Sequence, residues 1–326
     1  MRAALPILAA CLVAGCGSAT SGTASAPADP GVLVFGGTMN PSARHPPPGY
    51  YALRPDGTGL RKLAFSDTVG ELNFSADGGF AATWDTSGDQ TSIVVSRADG
   101  SEARVVPLPA DADVGSPSPS RDGKMVALSF APGYDAPSDL WTVAVDGRGL
   151  TRLTSTGNVV NVAWSPDGER IAFTDQAQLS DGTYNESGDD LYVVRADGTD
   201  LHRIAGTVSG YYPPAWSPDG TRIAFEDIKN RVSIVDVKDG MLTVVAPHGE
   251  APVWSPDGRR LAFIRSAPCG GYVACLWAKV MIMNLGGVAA PREIGPTFGQ
   301  PRGLAWTTAK LLPDETTTPT VPVPSS

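Results

Sequence analysis

One phrase recurs along this chain and limits the folds open to it. It reads AWSPDGERIAFTD at 163–175, AWSPDGTRIAFED at 215–227 and VWSPDGRRLAFIR at 253–265. In the first copy, Ser165-Pro166-Asp167-Gly168 has the composition of a tight turn, in which proline presets φ and glycine tolerates a positive φ. Apolar and β-branched residues flank the turn on both sides, as in a β-hairpin. The phrase therefore predicts a repeated hairpin.

Weaker copies of the phrase extend the repeat over most of the chain. LNFSADGGFAATWD begins at Leu72, SPSRDGKMVALSF begins at Ser118, and a last copy without Asp-Gly begins at Leu304. The turn serines are Ser75, Ser120, Ser165, Ser217 and Ser255, at spacings of 45, 45, 52 and 38 residues, and Thr307 takes the serine position in the last copy. Such spacings are typical of a repeat architecture.

A second Asp-Gly turn divides each unit again, as in RADGTDLHRI from Arg195. Each unit then holds four strands, here called a, b, c and d, with SPDG between a and b and the second turn between c and d. Six such units predict an all-β, six-bladed β-propeller of four-stranded antiparallel blades. We find no long apolar pattern with helical spacing, and 37 glycines and 29 prolines also favour turns.

The two ends of the repeat region complement each other. The segment at 31–37 resembles a strand b without its strand a, and the segment from 303 resembles a strand a without c and d. We therefore expect N- and C-terminal segments to pair in one blade and to close the ring, which removes free sheet edges. The alternative is an open array with frayed ends.

With these repeats, the chain resembles the TolB-like family of six-bladed propellers. The resemblance rests on WSPDGxxIAF at 164–173 and on the LYVV…DG…L pattern at 191–204, and it covers about 31–312. It implies a propeller that binds proteins. The motifs are specific for the fold and much less so for a function, and the resemblance does not imply membership of the Tol system.

The N-terminus has the pattern of an export signal. MRAALPILAACLVAGC places one arginine before a short apolar stretch that is too short for a membrane-spanning helix. LVAGC looks like a bacterial lipobox, which implies a signal peptide at 1–15 and lipidation of Cys16. The alternative is an ordinary signal peptide with an incidental cysteine.

A lipidated Cys16 would place the protein, by its lipid anchor alone, on the outer face of the cell membrane in the bacterial envelope. Residues 16–30 then form a flexible tether, residues 31–312 form the propeller, and residues 313–326 form a disordered Pro/Thr/Ser tail. Cys269 and Cys275 lie in one loop, CGGYVAC, and in an exported protein we expect a disulfide between them.

The sequence offers little sign of catalysis. It has no G-x-S-x-G or H-E-x-x-H motif and only three histidines, His45, His202 and His248. We predict a non-enzyme without a cofactor or a metal. Weak candidates for a Ca²⁺ site are Asp175 and Asp227, which follow strand b, because hard cations take oxygen ligands. The aspartates and glycines of the SPDG turns are assigned a structural role: Asp167, Gly168, Asp219, Gly220, Asp257 and Gly258.

The connections of each unit predict which face binds. The a–b and c–d turns are short and lie at one face, whereas the b–c and d–a connections vary in length and lie at the other. The variable connections hold tyrosines, a residue type favoured at interfaces. Our candidates for partner binding are Tyr50, Tyr51, Tyr134, Tyr184, Tyr211, Tyr212 and Tyr272.

The predicted function is a non-catalytic envelope lipoprotein. We expect the variable face to bind an envelope or membrane protein, or an extended peptide that enters the channel. Alternatives are a propeller that binds a small ligand or a sugar, and a lactonase-like or lyase-like enzyme with a metal at the tunnel mouth. A net charge of −9 argues against nucleic acid as a partner. We expect a monomer.

Overall fold

The computed structural model describes eleven parts of the chain. They are residues 31–38, 49–63, 65, 72–85, 92–133, 135–176, 188–266, 277–287, 289–299, 301–308 and 311. These residues form 24 β-strands in six four-stranded antiparallel sheets, which confirms the predicted six-bladed propeller. Within the described ranges, no helix is long and apolar enough to cross a membrane.

We number the blades along the chain and the strands in each blade from the channel outwards. Blade 1 is β24 (Leu304–Thr307), β1 (Val32–Gly37), β2 (Gly49–Leu53) and β3 (Arg61–Lys62); blade 2 is β4 (Asn73–Phe74), β5 (Phe80–Asp85), β6 (Ser92–Arg97) and β7 (Arg104–Val106); blade 3 is β8 (Asp113–Pro119), β9 (Met125–Ala131), β10 (Asp139–Ala144) and β11 (Thr151–Arg152).

The other three blades follow in the same order. Blade 4 is β12 (Val159–Trp164), β13 (Arg170–Asp175), β14 (Asp189–Arg195) and β15 (His202–Val208); blade 5 is β16 (Ala215–Trp216), β17 (Arg222–Glu226), β18 (Val232–Asp236) and β19 (Leu242–Ala246); blade 6 is β20 (Glu250–Trp254), β21 (Arg260–Ser266), β22 (Ala278–Asn284) and β23 (Arg292–Phe298). The first strand of each blade is called the inner strand below, and the fourth the outer strand.

The ring closes as the two chain ends predict. β24 pairs with β1 in antiparallel register, with Leu33 opposite Trp306 and Phe35 opposite Leu304. Thr307 is fully buried at the position that a turn serine occupies in other units, and its hydroxyl donates to the carbonyl of Gly78 in blade 2. Blade 1 is therefore joined both within itself and to its neighbour by the C-terminal strand.

The SPDG turn forms the same hydrogen bonds in each intact repeat. In blade 5, the Ser217 hydroxyl donates to Asp219 Oδ1 at 2.6 Å and accepts from the Arg222 N–H at 2.9 Å. Asp219 Oδ1 also accepts from the Thr221 N–H at 3.0 Å. Gly220 has a φ of +68° and Gly168 and Gly258 have similar values, so glycine is required at this position. The turn satisfies its own polar groups and begins strand b in a fixed direction.

The core lies between blades. Six apolar clusters each join residues of two adjacent blades, so that the ring has one cluster at every blade interface. Phe173, Phe225 and Phe263 occupy equivalent positions in three strands b and are at most 1% exposed. Each of them is buried in the cluster that its blade shares with the preceding blade, so the same position of the repeat joins neighbouring blades around the ring.

Candidate functional site

A central channel runs between the inner strands of the described residues. It has a volume of about 490 Å³, and all six inner strands or the turns beside them contribute to its wall. This volume falls within the usual range of small-molecule sites. The ring of inner strands therefore encloses a cavity along its axis that is large enough for a small molecule.

Proline and tryptophan dominate the channel wall. Pro166, Pro218 and Pro256 of the SPDG turns line one end, which we call the turn face because the a–b and c–d turns lie there. The inner-strand tryptophans also line the channel, although each is only 5–7% exposed: Trp164, Trp216, Trp254 and Trp306. The SPDG turns were predicted to be structural alone, and their prolines were not predicted as channel residues. The same position of proline in the three intact repeats was the signal.

The tryptophans are held by the neighbouring blade. Trp216 Nε1 donates to the Ala163 carbonyl at 3.1 Å, and Trp254 Nε1 donates to the Ala215 carbonyl at 3.0 Å. The guanidinium of Arg222 lies 4.5 Å from the ring centroid of Trp254, which is a cation–π distance. The rings of Trp216 and Trp254 are therefore packed parts of the wall, each with a guanidinium over one face.

The opposite end of the channel, which carries the b–c and d–a connections, is called the loop face. Tyr211 and Tyr212 lie there, in the connection from blade 4 to blade 5. Tyr212 lines the channel and packs on the cluster between blades 6 and 1, whereas Tyr211 is 81% exposed. The two neighbours thus contribute to the channel wall and to the surface beside it.

Two further apolar side chains are exposed on the loop face. Ile228, between β17 and β18, and Trp277, before β22, are each 44% exposed. With Tyr211 they follow one another around blades 5 and 6, and we call these three residues the loop-face patch. The sequence analysis did not select Ile228 or Trp277, because an isolated apolar residue in a loop carries no sign of its exposure.

The remaining candidate tyrosines differ from Tyr211 and Tyr212. The expected exposure is wrong for Tyr50, which is buried; its hydroxyl accepts from the Leu72 N–H at 3.2 Å, and this links blade 1 to blade 2. Tyr51 is half-buried and stacks on Phe35 with 5.7 Å between ring centroids. Other predicted site residues lie outside the described residues: Tyr134, Tyr184 and Tyr272, the lipidation candidate Cys16, and the disulfide candidates Cys269 and Cys275.

Carboxylates cluster on the loop face of blades 3 and 4. Asp139 pairs with Arg152, and Asp190 pairs with Arg203. Asp175 and Asp189 are buried, and Oδ2 of each has no hydrogen-bond partner among the described residues.

Burial raises the pKa of both of these buried aspartates. For Asp189, burial together with the charges of Asp175 and Asp190 raises the pKa to about 6. Burial also raises the pKa of Asp175. In this cluster, protonation of a carboxylate or binding of a cation is therefore favoured over the ionised state of both Asp175 and Asp189.

A second acidic pair lies between blades 5 and 6. Burial, and then the charge of Glu250, raises the pKa of Glu226 to about 8. Burial also raises the pKa of Glu250, although a hydrogen bond from Ser266 opposes it. Glu226 Oε1 accepts from Asn230 Nδ2 at 3.2 Å, and Oε2 has no partner in the part of the chain that the structure describes. At neutral pH Glu226 is therefore mostly protonated.

Asp227, the second candidate ligand for a Ca²⁺ ion, already pairs with a positively charged side chain of the protein. Asp227 is 3% exposed; its Oδ2 lies 2.6 Å from Arg231 Nη2 and its Oδ1 accepts from the Lys229 N–H at 2.9 Å. Across the described ranges, no group of three or more His, Cys, Asp or Glu side chains is arranged to hold a metal ion.

Residues suited to acid–base chemistry are scarce in the channel. Among the described lining residues, the charged side chains are Asp77 and Arg121, which pair with each other at 3.4 Å at the turn face. His202 and His248 are exposed on the outside of the ring and do not line the channel, and His45 lies outside the described residues.

Comparison with known proteins gives relatives that match parts of the chain. No family model matches the chain. A TolB homologue of Chlorobium luteolum is 28% identical over 140 residues, which is 31% of this chain and 32% of that protein. The Tol-Pal system protein TolB of Geobacter sulfurreducens is 36% identical over 79 residues, 24% of this chain and 16% of the relative. The chain thus matches at most about a third of the length of these relatives.

Solved structures agree with the sequence relatives about the fold. TolB from Acinetobacter baumannii superposes with a TM-score of 0.64 at 19% identity, covering 86% of this chain and 68% of that one. Oligogalacturonate lyase in complex with manganese superposes with a TM-score of 0.52 at 14% identity, covering 82% and 74%. These likenesses show a shared fold. Together with the SPDG repeats and the ring closure, they show that the chain is a six-bladed β-propeller with a TolB-like fold.

Proposed function

We propose that this protein is a non-catalytic, exported lipoprotein of the bacterial envelope whose loop face binds a protein or an extended peptide. The observation that carries the proposal is the loop-face patch of Tyr211, Ile228 and Trp277 beside a channel that Tyr212 lines. Exposed aromatic side chains next to a concave surface are favoured anchors of protein interfaces. The relatives support the class of function, since one of them is named a Tol-Pal system protein.

The location follows from the N-terminal pattern. A lipid on Cys16 would hold the protein at the outer face of the cell membrane, and residues 17–30 would supply the tether. A change of Cys16→Ser, followed by membrane fractionation and intact mass, tests this part. Unchanged membrane binding and unchanged mass would reject the anchor.

The partner experiment compares the two faces of the ring. The full chain is cross-linked in its native membrane and captured, once unchanged and once with Tyr211→Ala, Ile228→Ala and Trp277→Ala together. The matched control carries Leu60→Ala and Leu201→Ala, which are 44% and 42% exposed beside outer strands at the turn face. We expect one abundant envelope protein that the control retains and the loop-face variant loses. Capture that is equal for both variants would reject the loop face as the binding surface.

A small ligand is the second candidate, because the channel has the volume of a small-molecule site. Val253→Trp would narrow the channel without altering the exposed patch, since Val253 lies in its wall. Native mass spectrometry of the full chain from its own host would detect a retained ligand. Loss of that ligand in the Val253→Trp protein, with partner capture unchanged, would favour this second function.

A further inference from the structure

The outer edge of the ring shows one exception to a regular pattern. An outer strand of a blade pairs on one side only and leaves backbone N–H and C=O groups free along the other. Such an edge can recruit a further strand, and charged residues are a usual protection against this. Five of the six outer strands carry an arginine within their first two residues: Arg61, Arg104, Arg152, Arg203 and Arg292.

The outer strand of blade 5 lacks this protection. β19 reads Leu242-Thr243-Val244-Val245-Ala246 and contains no charged residue. Among the described strands it pairs with β18 alone, with Thr243 opposite Ile234 and Leu242 opposite Val235. Thr and Val have high β-propensity, so the strand is well suited to accept another.

Apolar side chains on and beside β19 are also exposed. Met241 is 66% exposed, Leu242 is 49% exposed and Val244 is 43% exposed. Few large apolar residues among the described ones are exposed to this degree, and three of them fall within four positions here. Free backbone groups and exposed apolar side chains therefore coincide at one edge.

We propose that β19 is a self-association edge, which pairs antiparallel with β19 of a second copy about a two-fold axis. A two-fold contact places the same patch on both partners. Because β19 is uncharged, its pairing with a second β19 brings no like charges together, in spite of the net charge of −9. A charged partner strand would find no opposite charge on β19 with which to form an ion pair. The two blades would form one continuous eight-stranded sheet.

The length of the strand sets the strength of this contact. Five residues span about 17 Å, and Pro247, which follows, has no N–H to extend the ladder. A contact of this size is smaller than a typical stable interface, so a weak, concentration-dependent dimer is expected. Concentration at a membrane would favour it, and the contact leaves the loop-face patch free.

The test restores the arginine that the other outer strands carry. The full chain with Cys16→Ser, which removes the predicted lipid site, is compared with the same chain carrying Thr243→Arg in sedimentation equilibrium over a range of concentrations. The matched control is Val105→Arg in β7, a 61% exposed position beside the existing Arg104. We expect the mass of the parent and the control to rise towards a dimer and that of Thr243→Arg to stay monomeric.

Two results would overturn the proposal. One is a parent protein that remains monomeric at every concentration, which would leave β19 bare or available to a different chain. The other is a dimer that persists equally in Thr243→Arg and in the control. Val244→Lys serves as a second edge variant, and an unchanged thermal midpoint in each variant shows that lost dimer does not reflect lost folding.

Discussion

Several carboxylates at the two faces of the ring have pKa values that are shifted in opposite directions. At the turn face, the SPDG aspartates Asp167, Asp219 and Asp257 have lowered pKa values: burial alone would raise the pKa of Asp219, but hydrogen bonds from Ser217 and Thr221 lower it. At the loop face, burial raises the pKa of Asp189 and Glu226, and each has an oxygen without a partner among the described residues. The SPDG carboxylates complete the fold, whereas Asp189 and Glu226 weaken it when they are ionised. Ionisable groups that are buried at a cost in stability are candidates for function.

The largest expected effect comes from removing the loop-face charge at Glu226. Its folded pKa of about 8 lies above its unfolded value of about 4.5, so its stabilising contribution is complete below that unfolded value and is lost as pH rises through about 8. We expect Glu226→Gln to exceed the wild type in free energy of unfolding by a few kcal/mol at about pH 9, and much less at about pH 5. Urea unfolding at the two pH values measures the difference.

Glu169→Gln is the matched control for this prediction, because Glu169 is exposed in the SPDG turn of blade 4. It should leave the pH dependence of the wild type unchanged. A Glu226→Gln protein that loses stability between the two pH values as steeply as the wild type would show that Glu226 is not the buried titrating group.

A smaller effect of the same sign is expected at Asp189. Its pKa of about 6 predicts that the wild type loses stability as pH rises from about 4 to about 7, because the ionised form is the disfavoured one. Asp189→Asn should flatten this loss and gain on the order of 2 kcal/mol near neutral pH. Thermal unfolding followed across this range provides the measurement. A neutral-pH loss of stability would instead show that the ionised carboxylate has a partner.

The turn face, unlike the loop face, follows from local sequence. Each SPDG turn satisfies its own hydrogen bonds within five residues, so the repeat alone predicts the hairpins, the number of blades and, through the two incomplete ends, the closure by β24 and β1. The pairing of Asp227 with Arg231 is equally local, although the sequence analysis did not select it.

The loop face depends on contacts that only the closed ring creates. Glu226 and Glu250 belong to different blades and meet across an interface, so no pattern within either repeat indicates their raised pKa values. Tyr50 was expected in an exposed loop, but β2 begins at Gly49 and buries its side chain against blade 2. The exposure of Tyr211 and the partial burial of its neighbour Tyr212 likewise depend on the channel.

Removing a turn carboxylate should act in the opposite direction from removing a loop-face carboxylate. Asp219→Ala deletes the acceptor for the Ser217 hydroxyl and the Thr221 N–H and should cost about 1 kcal/mol at neutral pH. Because the pKa of Asp219 is lowered in the fold, this contribution is present above its unfolded pKa and is lost as pH falls through the folded value. Asp219→Asn keeps an acceptor oxygen and is the control. A gain in stability for Asp219→Ala would abolish the contrast between the faces.

The smallest expected effect tests how far the turn face depends on its arginines. Arg222 lies over the Trp254 ring, and its charge is one of the influences that lower the pKa of Asp219. Arg222→Lys keeps a positive charge near Asp219 but loses the planar stacking, and we expect a cost of about 0.5 kcal/mol in urea unfolding. Arg222→Met removes both contributions and should in addition move the pKa of Asp219 back towards its ordinary value, which NMR titration of that carboxyl would detect. If the two variants have the same stability and the same Asp219 pKa, stacking alone accounts for Arg222, and the turn face owes its lowered pKa values to the hydroxyl and backbone donors.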